Sequence, residues 1–163
     1  MLRKQILQDP VNRQGQVVPK PDIKNIPALA TVLVTSESPD HPVDHLFDAQ
    51  DRPGGTRWIA AADGEQTLIV AFDAPQTIRE VSLEAEERQA SRTQVLTLSL
   101  SRDGGRTYFE LLRQEFTFSP SGATFERETW AVPAEGVTHL RFVIQPDKGH
   151  TPCRATLTSL TIR

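Results

Sequence analysis

The chain has 163 residues, 37% of them hydrophobic and 24% charged, a balance that supports one packed domain and excludes global disorder. Eighteen Lys and Arg against 21 Asp and Glu give a net charge of −3, so no broad basic field exists to hold phosphates, and nucleic acid is not an expected partner. The single cysteine excludes an intrachain disulfide framework, and the four histidines lack zinc-finger spacing.

Residues 1–28 are polar and punctuated by Pro10, Pro19, Pro21 and Pro27, the signature of an arm or linker. Its short apolar pairs, Ile6-Leu7 and Val17-Val18, can dock on the body or complete a neighbour's sheet edge, making the arm a candidate for homo-oligomer contact. The N-terminus starts with basic residues but lacks the continuous apolar core of a signal peptide. No apolar run approaches the ~20 residues that span a bilayer. The expectation is a cytoplasmic protein without a membrane span, its folded domain covering 29–163.

From residue 30 the pattern has period two. "ATVLVTS" (30–36) is rich in β-branched residues and reads as a strand. At 40–47, "DHPVDHLF", a turn or two of helix is expected, with Asp40 as its cap and Pro42 in its first turn. "TLIVAFD" (67–73) puts Leu68, Val70 and Phe72 on one face. "TIREVSLEA" (77–85) follows. In "VLTLSLS" (95–101), Leu96, Leu98 and Leu100 are expected to face in, and Thr97, Ser99 and Ser101 out. Further strands are read at 107–118, 124–132, 139–145 and 155–162. About eight strands with almost no helix point to an all-β antiparallel sandwich or jelly roll, and the lack of crossover helices excludes βαβ units.

Between two of these strands lies "SRDGGRTY" (101–108). Asp103-Gly104-Gly105 supplies positive-φ positions for a tight hairpin, the Asp103 carboxylate can accept turn amides, and Ser101 and Thr107 can brace the strands. The stretch resembles the Asp box of sialidase-type propellers, but a single copy in 163 residues cannot build a propeller. It reads as a structural clip.

A longer set of landmarks carries a second resemblance. "HPVDHLFDAQDRPGGTRWIAAADGEQTLIVAFDAPQTIREVSL" (41–83), "LSLSRDGGRTYFEL" (98–111), "THLRFVIQPDKG" (138–149) and "ATLTSLTI" (155–162) occur in order. Together they resemble the discoidin domain, also called coagulation-factor type C or galactose-binding-like, over roughly 30–163. The resemblance implies an eight-stranded jelly roll that binds rather than catalyses, taking sugars, lipid headgroups or proteins in loops at one end. It also implies a structural calcium site, here Asp48, Asp51 and Thr56. Two departures weigh against that ion: Ala49 stands where the family has Gly, and Ser159 where it commonly has Glu. The sugar-binding subgroup's His after the conserved Trp is Ile59 here, so the galactose pocket is not reproduced.

The candidate ligand residues are Glu86, Arg88 and Arg92, in the charged loop "EAEERQASR" (84–92). Guanidinium forks donate to hydroxyls and carboxylates accept from them; the competing reading is a charged strand end that discourages edge pairing. No nucleophile, P-loop or metalloprotease motif occurs. The expectation is a non-catalytic module for a carbohydrate or similar polar ligand. Its rival is an intracellular protein-interaction or scaffold domain.

Overall fold

The computed structural model describes residues 22–49 and 53–163. A single helical turn, α1 (Ile26–Leu29), leads into β1 (Ala30–Val34); a 3₁₀ turn (Val43–Phe47) and β2 (Trp58–Asp63) follow. The remaining strands are β3 (Gln66–Glu86), β4 (Arg92–Ser101), β5 (Phe109–Phe118), β6 (Phe125–Gln145), β7 (Arg154–Leu157) and β8 (Ser159–Ile162). Every pairing is antiparallel. The architecture is the antiparallel eight-stranded β-sandwich that the alternation predicts.

Two strands of 21 residues, β3 and β6, organise it. The first half of β3 has β1 as its outer neighbour and the second half has β8. One layer is therefore β1–β3–β6–β4–β5, another is β8 with the second half of β3 and the first half of β6, and β2 and β7 form a separate two-stranded sheet. The ladder between β3 and β6 is interrupted from Ala71 to Glu80. Pro75 lies in that gap, with Pro133 and Gly136 (φ 66°) on the opposing stretch of β6. Proline has no N–H for the ladder, so the pairing breaks there and the strands bend from one layer into the other. The sequence reads as separate strands on either side of these prolines; the structure joins them. It also adds β2, which alternation in "WIAAAD" is too weak to announce, and splits 155–162 at Thr158.

The apolar faces close on one core. Leu68, Val70, Leu96, Leu98, Leu100, Leu140, Phe142 and Ile144 are all buried, as their period-two spacing requires. Phe116 and Phe118 are buried with them. Ser99 and Ser101 depart from expectation: both are buried, small side chains shielded by larger neighbours on the flanking β5 and β6, while Thr97 on the same face stays half-buried. Trp58 is fully buried, and its indole N–H donates to the Ser36 carbonyl at 3.1 Å. The 3₁₀ turn sits where a short helix is expected, but Asp40 does not cap it. Glu37 does, its Oε2 accepting from the Val43 N–H at 2.8 Å. N-terminal to β1, Ile26 enters the core and the Lys24 N–H donates to the Ile162 carbonyl at 2.8 Å.

Candidate functional site

The turn from β3 to β4, residues 87–91, carries the chain from the three-stranded layer into the five-stranded one and so caps one end of the sandwich. Beside it lie the approach to β2 and the segment entering β7. Together they enclose a cleft of about 580 Å³, within the size range of small-ligand sites. Arg57, Glu86, Arg88, Arg92, Arg154 and Thr156 are among its walls.

All three sequence-derived ligand candidates face this cleft, with different roles. Glu86 is buried, its side chain 1% exposed. Its Oε2 accepts the Gly54 N–H at 2.7 Å, while Oε1 meets Arg57 at 2.7 Å and Arg88 at 3.1 Å. Burial pushes its carboxyl up, but the Gly54 amide and the Arg57 and Arg88 guanidiniums outweigh that and hold it below the usual glutamate range. Glu86 is thus an anchor: it pins the 54–57 segment and aims two guanidiniums. Gly54 itself has φ 77°, a left-handed conformation suited to glycine.

Arg92 is a strut. Its side chain is 7% exposed; Nε pairs with Glu87 at 3.1 Å, and Nη1 donates to the Arg154 carbonyl at 2.7 Å and the Pro146 carbonyl at 3.2 Å. Arg88, 60% exposed, is the one of the three that presents its guanidinium to solvent. The floor below is a closed polar network. Gln94, fully buried, donates to the Thr156 carbonyl at 2.8 Å and accepts the Thr156 N–H at 3.1 Å, and the Thr156 hydroxyl donates to the Trp58 carbonyl at 2.8 Å. The sequence reading missed Arg57, Arg154 and Thr156. Arg57 adjoins the Trp58 landmark; the other two come from β7, far along the chain, and nothing local marks them.

Asp48 and Thr56 do come together, the Thr56 hydroxyl donating to Asp48 Oδ2 at 2.5 Å. Among the described residues no group of three His, Cys, Asp or Glu side chains is placed to hold a metal, and calcium takes about six to eight oxygens. Asp51 lies outside the described residues. Asp48 and Thr56 alone do not fit the ion.

At the opposite end of β4, "SRDGGRTY" is the clip its sequence implies. Asp103 Oδ2 accepts the Thr107 hydroxyl at 2.6 Å, and Oδ1 accepts the Thr107 and Arg106 amides at 2.9 and 3.1 Å and the Ser101 hydroxyl at 2.7 Å. The Thr107 bonds, then Ser101, hold this carboxyl far below the usual aspartate range. Gly104 and Gly105 have φ 77° and 84°. Tyr108 stacks on Arg141, 4.0 Å from guanidinium carbon to ring centroid.

No family model matches the sequence, and no curated protein does. Solved structures match the fold over most of the chain. The C-terminal domain of a chitobiase from Bacteroides fragilis has a TM-score of 0.61 at 16% identity, covering 87% of this chain and 97% of that one. The family 32 carbohydrate-binding module of Clostridium perfringens NanJ, solved with galactose, has a TM-score of 0.59 at 13% identity, covering 86% and 96%. The family 32 module of AlyQ, solved with 4,5-unsaturated mannuronic acid, has a TM-score of 0.57 at 19% identity, covering 83% and 95%. At such identities the likeness establishes the fold alone, the antiparallel jelly-roll β-sandwich. No helix among the described residues is long and apolar enough to cross a membrane.

Proposed function

We propose that the chain is a non-catalytic carbohydrate-binding module of the discoidin-like type, holding its sugar in the cleft beside the β3–β4 turn. The observation that carries this reading is the buried Glu86, which orients Arg57 and Arg88 over an open, polar-walled cavity. Guanidinium groups fixed in this way present planar donor forks to ring hydroxyls. The folds that share this architecture include modules solved with galactose and with an unsaturated uronic acid, which supports a sugar as the ligand.

Binding without turnover fits the chemistry of the two carboxylates in the cleft. Glycoside hydrolysis needs one carboxyl protonated near neutral pH and a second ionised across the scissile bond. Glu86 is held ionised by its partners, and Glu87 is paired with Arg92. Glu86 is therefore not arranged as a general acid. A glycan microarray followed by isothermal titration calorimetry tests the proposal. Saturable binding with one site per chain, weakened by Arg88→Gln, is expected; no saturable binding to any glycan overturns it.

A further inference from the structure

The charges along the cleft do not cancel. Four arginines (Arg57, Arg88, Arg92 and Arg154) face two glutamates, Glu86 and Glu87. This surplus of positive charge stands out on a chain whose net charge is −3. Glu87 is taken by Arg92, whose Nη1 donates to backbone carbonyls. Glu86 is shared: the same Oε1 serves both Arg57 and Arg88, while Oε2 is occupied by the Gly54 amide. One carboxylate therefore neutralises only one of two guanidiniums. Arg154 is exposed at the mouth; Asp63 lies opposite it across the β2–β7 pair, but among the described residues no carboxylate forms an ion pair with it.

The lining also lacks an aromatic stacking face for a neutral sugar ring. No Trp, Tyr or Phe is among the cleft's walls, whose apolar side chains are Ile59 and Cys153. Without an aromatic face to stack on, a pyranose ring gains little there from apolar contact. A guanidinium fork matches the paired oxygens of a carboxylate or a sulfate ester, and such charge-assisted bonds are about twice as strong as neutral ones.

We infer that the cleft selects sugars bearing an anionic group, with Arg88 and Arg154 as the residues that meet it and Glu86 as the residue that positions Arg88. The inference rests on the carbohydrate reading and narrows it to a ligand class. The proposed contact couples a six-membered sugar, through its carboxylate or sulfate oxygens, to two guanidiniums at the mouth, with Arg57 deeper and still tied to Glu86.

The test uses the full chain and four probes in calorimetry: oligogalacturonate, the same oligomer with its carboxyls reduced to hydroxymethyl groups, sulfated galactose oligosaccharides, and neutral galacto-oligosaccharides. Binding of oligogalacturonate, lost on carboxyl reduction, supports a carboxylate as the anion; binding of the sulfated probe alone supports a sulfate ester. In either case Arg88→Gln and Arg154→Gln, both at exposed positions, each weaken binding about tenfold or more. Raising salt from roughly 0.01 M to roughly 1 M weakens it further, as the screening length shrinks. Neutral sugars binding as well as charged ones overturn the inference while leaving the carbohydrate reading intact. Binding to none of the four overturns the inference, and silence across a full glycan array overturns the carbohydrate reading as well. Unchanged affinity in both variants also overturns it, by placing the anion elsewhere.

Discussion

Replacing Glu86 by alanine is the sharpest probe of the site's construction. The carboxylate is buried, accepts the Gly54 amide at 2.7 Å and meets two guanidiniums at 2.7 and 3.1 Å. Removing it leaves the Gly54 N–H without an acceptor, a charge-assisted bond of about 1.5–3 kcal/mol. It also leaves Arg57 uncompensated. A fully buried charge stripped of its partner costs about 3–5 kcal/mol, but the Arg57 side chain keeps 24% of its exposure and Arg88 keeps 60%, so most of that is relieved by water. A net loss of about 3 kcal/mol is expected, or about 6–12 °C in Tm for a domain of this size. Urea unfolding followed through Trp fluorescence measures it, the m-value staying fixed if only the native state has changed. A loss under about 1 kcal/mol refutes the assignment of Glu86 as the anchor. Glu86→Gln keeps an acceptor for Gly54 but drops the charge, and falls between. The pH dependence follows with a definite sign. The folded carboxyl lies below its ordinary value of 4.5, so its contribution is present above about pH 4.5 and disappears as pH falls through the folded value. Glu86→Gln therefore narrows the gap to wild type in acid.

Three further outcomes are expected. Gly105→Ala forces a left-handed alanine whose Cβ lies 3.2 Å from the Tyr108 hydroxyl and 3.4 Å from His139; the cost is about 2 kcal/mol in chemical denaturation, with sugar affinity unchanged because the clip sits at the other end of β4. Ala49 already occupies φ 61°, so Ala49→Gly removes about 1–2 kcal/mol of strain against about 0.5–1 kcal/mol of added chain entropy and raises Tm by a few degrees at most. Asp103 has a folded carboxyl depressed from 3.8, so its stabilisation is present above about pH 3.8 and lost as pH falls further; Tm measured against pH then drops more steeply for wild type than for Asp103→Asn in that acid window.

The layers of the fold were legible because alternation is a local signal. Leu96, Leu98 and Leu100 declare a buried face by themselves, and the Asp103-Gly104-Gly105 turn announces its own hairpin. Continuity across a bend is not local. Pro75 and Pro133 look like strand ends in the sequence, and only the partner strand reveals that each is an interruption within one long strand. The site divides the same way. Glu86, Arg88 and Arg92 stood out as a charged cluster, yet their separate roles as anchor, presenting group and strut depend on Gly54, Arg57 and Arg154, which the topology supplies from other segments. Asp40 failed as a cap because Glu37, six residues before Val43, reaches the free amide instead, and a side chain arriving from outside the usual capping position leaves no spacing to read.

The bend at the two prolines has a mechanical consequence. Because β3 and β6 belong to both layers, neither layer can peel away or slide without tearing a strand in two. Denaturation should proceed as one all-or-none event, and refolding should be slow, since the pairings that close the structure join residues distant in sequence. The mouth of the cleft draws on that stiffness through cross-ties: Glu86 and Arg92 sit at the ends of β3 and β4, and they hold Arg57 and the Arg154 carbonyl of the neighbouring β2–β7 pair, which lowers the ordering entropy surrendered on capture.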